Sequence, residues 1–236
     1  MTVLMRLIAG CIPNGTPLPI LAGPLRGAKW ITGAAPGPSK GLSVVAGRSE
    51  PRQLEEAWSL LKEGSVAFDV GAHSGLYTLL FAKRAKHVYA FEPLPRNLRF
   101  LHRTLELNRV SNAIIVPFAL SGLTGATSFR EGKHNSEGRL DASGELPVFG
   151  ITCSDFASQY NAWPNLLKID VEGAELDLFK GSLEFFRERR PALLLSTHGE
   201  KVKADCLRLL RELGYGRVKP LDVGSEEQAN EFSITP

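Results

Sequence analysis

This chain is poor in cysteine, methionine and tyrosine, with three, two and four of them in 236 residues. Cys11, Cys153 and Cys206 are odd in number and contain no Cys-x-x-Cys pair, so neither a disulfide framework nor a zinc site is expected. They read as reduced thiols of a cytoplasmic protein. Net charge is scarce too: +3, with the basic residues scattered, falls short of the dense basic face of a nucleic-acid binder. Long apolar runs are missing. The stretch 2–10 is too short and interrupted to span a bilayer, which takes about 20 apolar residues. It also lacks the basic start and small-residue cleavage site of a signal peptide, so it reads as a covering segment with no membrane partner.

What is present suits one large α/β domain with a small appendage: 43% of residues are apolar and 22% charged. Proline is dense early, at positions 13, 17, 19, 24, 36 and 38, which excludes long helices there. Residues 1–49 are therefore expected to form an irregular N-terminal cap, docked through Leu18, Ile20, Leu21, Trp30 and Ile31. Short strands are expected at Trp30–Thr32 and Ser43–Ala46. Residues 50–236 form the main domain.

That domain is organised around Val66–Gly75, where an apolar run ends at Asp69-Val70 and Gly71 and Gly75 bracket three residues. A helical pattern begins at once with Leu76. Strand, tight turn and helix thus follow in order, and the glycines admit a ligand where a β-carbon would block it. A second apolar run, His87–Phe91, ends at Glu92, 21 residues beyond Gly71; a carboxylate there can take both hydroxyls of a ribose. Dinucleotide-binding turns read G-x-G-x-x-G so that bare amides meet a pyrophosphate. Here the first of those positions is Asp69, which would repel one and disfavours a nicotinamide-dependent reductase. A carboxylate can instead hold an ammonium group, directly or through water, while helix-opening amides receive a carboxylate. A ribose at one end and an amino acid at the other describe S-adenosylmethionine.

Further along, helices are expected over Glu50–Glu63 and from Pro95 to Asn108, with a third strand at Ala113–Pro117. Residues 122–147 are polar and glycine-rich. Thr127–Phe129 and Val148–Ile151 are expected to pair around a loop that serves as a lid, with His134 and Ser136 its candidate contacts and a plain mobile hairpin the alternative. A fourth strand over Leu166–Val171 leads into one helix whose inner face is Leu176, Phe179, Leu183 and Phe186. A fifth strand covers Ala192–Thr197. A helix with Cys206, Leu209, Leu210 and Leu213 and two last strands complete a doubly wound, mostly parallel seven-stranded Rossmann-like α/β sheet.

Three strings carry a family resemblance: Asp69–Thr78, Phe91–Asn97 (Phe-Glu-Pro-Leu-Pro-Arg-Asn) and Lys168–Glu175 (Lys-Ile-Asp-Val-Glu-Gly-Ala-Glu). They resemble the successive motifs of the FkbM-type S-adenosylmethionine-dependent methyltransferases. Pro19–Gly27 and Gly214-Tyr215 are similar to that family's flanks. His73 departs from the pattern, standing where the family usually has Asn. The resemblance implies a class I methyltransferase sheet, with the adenine passing Ala119, Leu120 and Ser121, Pro93 beside the ribose, and an acceptor hydroxyl on a sugar, glycan or natural product.

Methyl transfer from a sulfonium needs an acceptor held in line, and positioning alone can supply about 7–11 kcal/mol of a barrier. An alcohol also needs its proton removed, by a base or with a metal ion. Asp170 and Glu172, two apart on an extended segment, can face one way with Lys168. They could hold a divalent cation such as Mg²⁺, or one could be the base. Alternatively Asp170 contacts the cofactor, while Glu172 and Glu175 complement the positive end of the next helix. His198, at the same rim, is the leading proton acceptor, with a structural histidine as the alternative. His73 is read as bonding backbone or the methionine end. Tyr77 and Thr78 are read as reaching the methionine carboxylate, and Asn97 as a lesser contact. No Asn-Pro-Pro-Tyr or Asp-Pro-Pro-Tyr string follows the fourth strand, which argues against base-amino methylation. N-methylation of an amine or peptide and a non-catalytic binding module remain alternatives, and a homo-oligomer is compatible with the sequence.

Overall fold

A computed structural model describes residues 10–35, 37, 39–130, 139–140 and 143–236. Pro17–Pro19 (β1) and Lys29–Ile31 (β2) pair antiparallel, with Leu18 opposite Trp30. Ser43–Ala46, expected as a strand, is instead a single helical turn, Leu42–Val45 (α1). Bonds from Val44 N to Gly41 O and from Ala46 N to Leu42 O close that turn. They satisfy locally the groups that a strand without a neighbouring edge would leave open. Pro51–Leu60 (α2) starts on proline, its favoured first position. It stops before Gly64, because Leu61 turns extended (φ −74, ψ 107) and buries its side chain.

The main sheet follows from alternating apolar runs and helical patterns. Val66–Val70 (β3), Leu76–Ala82 (α3), His87–Phe91 (β4), Pro95–Leu107 (α4) and Ala113–Val116 (β5) form its first half. Ala119–Leu120 (β6), Gly125–Arg130 (β7), Arg139–Leu140 (β8) and Leu146–Ile151 (β9) make a small separate sheet of order β6-β9-β7-β8. Cys153–Tyr160 (α5) leads to Leu166–Ile169 (β10), followed by Glu175–Lys180 (α6), Leu183–Arg189 (α7) and Ala192–Ser196 (β11). Glu200–Glu212 (α8), Arg217–Pro220 (β12) and Glu231–Thr235 (β13) end the chain.

The strand order is β12-β13-β11-β10-β3-β4-β5. Strands β11, β10, β3, β4 and β5 run parallel, and β13 lies antiparallel to both of its neighbours. This is the doubly wound sheet expected from the sequence. One face is covered by a cluster containing Phe68, Phe156, Phe179, Phe186 and Leu210. The other carries Ala67, Val88, Leu166 and Leu80 together with the cap residues Ile20, Leu25 and Trp30, so cap and domain share a core. Chain order reverses between β3 and β10. Crossovers therefore depart in opposite directions and leave a crevice at the carboxyl ends of those two strands.

Beyond α1, three further helical regions differ from expectation. The single helix after β10 is broken at Gly181-Ser182 into α6 and α7. Gly181 backs onto Gly122, where a β-carbon would lie 2.2 Å from the Gly122 carbonyl oxygen, so the connection after β6 occupies the space a continuous helix would need. α5 had no forecast: Thr152 caps it by accepting from Asp155 N at 3.0 Å, and Phe156 packs against Phe68, Tyr89 and Phe91. On α8 the buried positions are Lys203, Cys206, Leu207 and Leu210, with Leu209 only partly covered. Among the described residues, no helix is long and apolar enough to cross a membrane.

Candidate active site

The crevice is built by the turns after β3, β4 and β10. Gly71 (φ 77) and Ala72 both donate their amides to Phe91 O, at 3.0 and 2.9 Å, which ties the glycine turn to the end of β4. Glu92 is held from two sides: Oε2 accepts from His73 N at 2.8 Å and Oε1 from Leu94 N at 2.9 Å. Burial raises its pKa, and the bonds from Leu94, His73 and Asn97 oppose that rise. These turns border a cavity of about 360 Å³, within the usual range for small-ligand sites. Of the residues singled out from sequence, Gly71, His73, Tyr77, Glu92, Pro93 and Asn97 line it. So do Ala119, Leu120, Asp170 and Glu172.

Four expected cofactor contacts sit elsewhere. Asp69 is 1% exposed and lies beneath the wall, because Thr78 Oγ1, one helical turn on, donates to its Oδ2 at 2.5 Å. Burial raises the Asp69 pKa, opposed by Lys168 and Thr78. Thr78 is thereby turned away from any methionine carboxylate. Gly75 serves packing: a β-carbon there would lie 2.7 Å from Leu101 Cδ1. Ser121 faces a second depression and donates to Leu123 O at 2.6 Å. His134 and Ser136 lie outside the described residues.

Lys168 is the hub of the β10 side. Its Nζ lies 3.0 Å from Asp170 Oδ2 and 3.5 Å from Gly71 O, and 5.2 Å from the centre of the Tyr77 ring. Burial alone would lower its pKa; the carboxylates of Asp170, Asp69 and Glu50 outweigh burial and raise it. Asp170 shows the converse: burial would raise its pKa, but Lys168 and then His198 hold it below the ordinary value. Tyr77, expected at the methionine carboxylate, donates its hydroxyl to Glu50 Oε2 at 2.7 Å.

His198 follows β11 and faces the same tip. Its Nδ1 lies 2.8 Å from Glu175 Oε1, which also accepts from Gly173 N at 2.9 Å. Its Nε2 stands 3.4 Å from Glu172 Oε2 and 3.7 Å from Asp170 Oδ1. The Glu175 bond first, and then Asp170 and Glu172, raise its pKa to about 9 against the effect of burial. A ring that these carboxylates hold protonated is a poorer proton acceptor, and its anchoring to Glu175 favours the structural alternative for His198. Glu172, raised by burial and opposed by His198, is the stronger base of the two carboxylates. The donor atoms of Asp170, Glu172 and His198 lie within 4.8 Å of one another, so these three can gather a cation only where the His198 ring gives up its proton.

Backbone strain marks the same place. Glu50, His73 and Glu172 line the cavity with φ of 48, 49 and 52, a conformation side chains disfavour. Of the other left-handed residues, Lys40 precedes α1, and Arg109, Asn161 and Arg190 follow or cap α4, α5 and α7. Sequence reasoning missed Glu50 and Trp30 as cavity residues, and named Glu175 only as a complement to the helix end, not as the partner of His198. The signal for Glu50 was a glutamate before a helix-starting proline, where Ser, Thr, Asp or Asn would cap. For Glu175 it was an acid inside the buried end of an otherwise apolar face. Beside the cavity lies a wider depression of about 1170 Å³, bordered by Ser121–Thr127, Glu172–Ala174, Asp177, Lys180 and His198.

The sheet order, the acid at the tip of β4 and the crevice at the switch point define a class I methyltransferase fold. The model of the FkbM methyltransferase domain matches residues 69–216, more than half of the chain, and the chain belongs to that family. It is 28% identical over 163 residues to the hexuronic acid methyltransferase AglP of Haloferax volcanii, covering 67% of this chain and 65% of that protein. It is 27% identical over 146 residues to methyltransferase 1 of Beauveria bassiana, covering 50% and 59%. The chain thus spans less than two thirds of the length of either relative. Among solved structures, a methyltransferase FkbM from Methylobacillus flagellatus KT superposes with a TM-score of 0.55 at 16% identity, over 73% of this chain and 44% of that one.

Proposed function

We propose that this protein transfers a methyl group from S-adenosylmethionine to a hydroxyl of a sugar, glycan or related natural product. One observation carries the reading: Glu172 and Ala174 border both the cavity that holds Glu92 and the neighbouring depression. A donor seated in the first and an acceptor in the second meet at Asp170, Glu172 and His198. The cavity fits the donor, since Glu92 offers its remaining lone pairs to a ribose and Lys168 and Asp170 line the same cavity with charge for a zwitterionic end. S-adenosylmethionine supplies a methyl group on a sulfonium whose leaving group departs neutral. Glu172 takes the acceptor's proton, and the imidazolium of His198, anchored by Glu175, offsets the two carboxylates beside it.

The depression suits a polyhydroxylated acceptor. Its described lining carries Thr127, Asp177 and Lys180 beside the Ser121 and Thr124 hydroxyls, which already donate to Leu123 O and to Asp155. The name of the Haloferax relative, a hexuronic acid methyltransferase, points the same way. The acceptor is then a small molecule or glycan rather than nucleic acid or membrane, and the protein acts in the cytoplasm, alone or as a homo-oligomer. Labelled S-adenosylmethionine with a panel of sugars, uronic acids and amines tests this. Label in an alkali-stable ether is expected. Label only in amines would make the protein an N-methyltransferase, and binding of S-adenosylhomocysteine without any transfer would make it a binding module.

A second reading rests on the convergence of Asp170, Glu172 and His198, which could hold a divalent cation such as Mg²⁺ beside the acceptor oxygen. The imidazolium already supplies positive charge there, so turnover is expected to survive exhaustive chelation; loss on chelation and recovery with Mg²⁺ would favour the cation.

A further inference from the structure

We propose that Glu50, from the segment joining cap and domain, receives the α-ammonium group at the methionyl end of the cofactor. The inference rests on the S-adenosylmethionine reading above and assigns a contact that reading leaves open, because Asp69 lies beneath the cavity wall.

Glu50 is in a costly conformation with no local reason for it. It stands in the N-cap position of α2 with φ 48 and ψ 47, yet its side chain makes no cap bond. A cap residue normally lies in the β region and its side chain accepts from the helix's first amides. Here the carboxylate is turned toward the cavity that Glu50 lines. Its Oε2 accepts from the Tyr77 hydroxyl at 2.7 Å. Its other oxygen makes no bond among the described residues. Left-handed residues retained at a cavity wall, with the side chain aimed away from the helix they open, cluster at ligand contacts.

The position also matches the length of the ligand. Glu92, at the tip of β4, lies on one side of the switch point. Glu50 lies on the other, because its charge acts on Lys168 of β10 and on Glu231 of β13. A ligand with its ribose at Glu92 crosses the Gly71 turn and brings its far end toward Glu50. Of the remaining carboxylates on that side, Asp170 already holds Lys168 at 3.0 Å, and Glu172 faces the His198 ring and the neighbouring depression. Glu50 is therefore the acid left for an incoming ammonium, and Lys168, on the same wall, complements the cofactor's carboxylate. Glu50 is exposed at the cavity edge, where an incoming ligand can reach it.

The test is calorimetric, with S-adenosylhomocysteine, its desamino analogue and 5′-methylthioadenosine, which lacks the amino acid. In Glu50→Gln, S-adenosylhomocysteine is expected to bind roughly 10–100-fold more weakly, the usual worth of a hydrogen bond to a charged group, while 5′-methylthioadenosine binds as before. On the unaltered protein the desamino analogue is expected to lose a similar factor, a readout that does not depend on how the variant folds. Equal losses for S-adenosylhomocysteine and 5′-methylthioadenosine, or no loss for either, would overturn the assignment to Glu50 and leave the cofactor reading standing. Failure of the unaltered protein to bind any of the three ligands would overturn both.

Discussion

The α-carbon of Gly71 faces the carbonyl oxygen of Asp170 so closely that a β-carbon added there would lie 1.9 Å from it. The glycine turn after β3 and the acidic turn after β10 are thus in direct contact, and Lys168 bridges them from below. Gly71→Ala must push the two strand tips apart and strain a residue at φ 77. A loss of about 3 kcal/mol or more is expected, combining overpacking with the left-handed penalty. Urea unfolding measures it, and a variant as stable as the unaltered protein would show that the two tips can separate freely.

That contact also shows what could be read from the chain alone. β3, β4, β10 and β11 are largely apolar runs, with Asp69 next to last in the first, Glu92 and Asp170 directly after the second and third, and His198 two residues past the fourth, so the sheet and its polar rim follow from period and punctuation. Depth does not. Alternation places Asp69 on the same face as Lys168, but whether its carboxylate reaches the cavity depends on Thr78, which intercepts it from the next helical turn. For Glu50 the chain shows only an unusual cap before a proline; that its carboxylate turns to the cavity depends on Tyr77, 27 residues away. The break between α6 and α7 depends on Gly122, which no local pattern connects to Gly181.

Lys168 has a side chain only 8% exposed among Asp69, Asp170 and Glu50. Lys168→Met would leave those carboxylates without their counter-charge, and truncating one partner of a buried pair costs about 3–5 kcal/mol. Adding Asp69→Asn should recover part of that loss, since Asp69 is the acid with least access to water. Double-mutant unfolding measures the coupling; strict additivity of the two substitutions would show that Lys168 and Asp69 do not interact.

His198 and Glu175 make a prediction about protonation. With the folded pKa raised from 6.5 to about 9, the pair's stabilisation is fully present below pH 6.5 and is lost as pH rises through 9. The ring is 35% exposed, so solvent screening reduces the effect to about 1 kcal/mol. Proton NMR of the His198 ring should titrate near 9 and shift toward 6.5 in Glu175→Gln, which keeps a hydrogen-bond acceptor but removes the charge. An unchanged titration in that variant would show that Glu175 does not set the protonation of the site.

Glu231 acts in an adjacent window. Burial first raises its pKa from 4.5 to about 7, despite the bond from Ser196 Oγ at 2.8 Å. The folded protein then keeps a proton that the unfolded chain has released between those two values. Stability therefore falls as pH rises from 4.5 to 7 and stays lower above, by about 1–3 kcal/mol. Glu231→Gln retains an acceptor for Ser196 and cannot ionise, so it should flatten that part of the profile and raise the melting temperature at pH 8 relative to the unaltered protein. Asp170 and Glu50 are among the charges that act on Glu231, and removing its charge also leaves Lys168 more fully to them. A melting profile between pH 5 and 8 that is the same with and without the substitution would place the Glu231 carboxylate in ordinary contact with water.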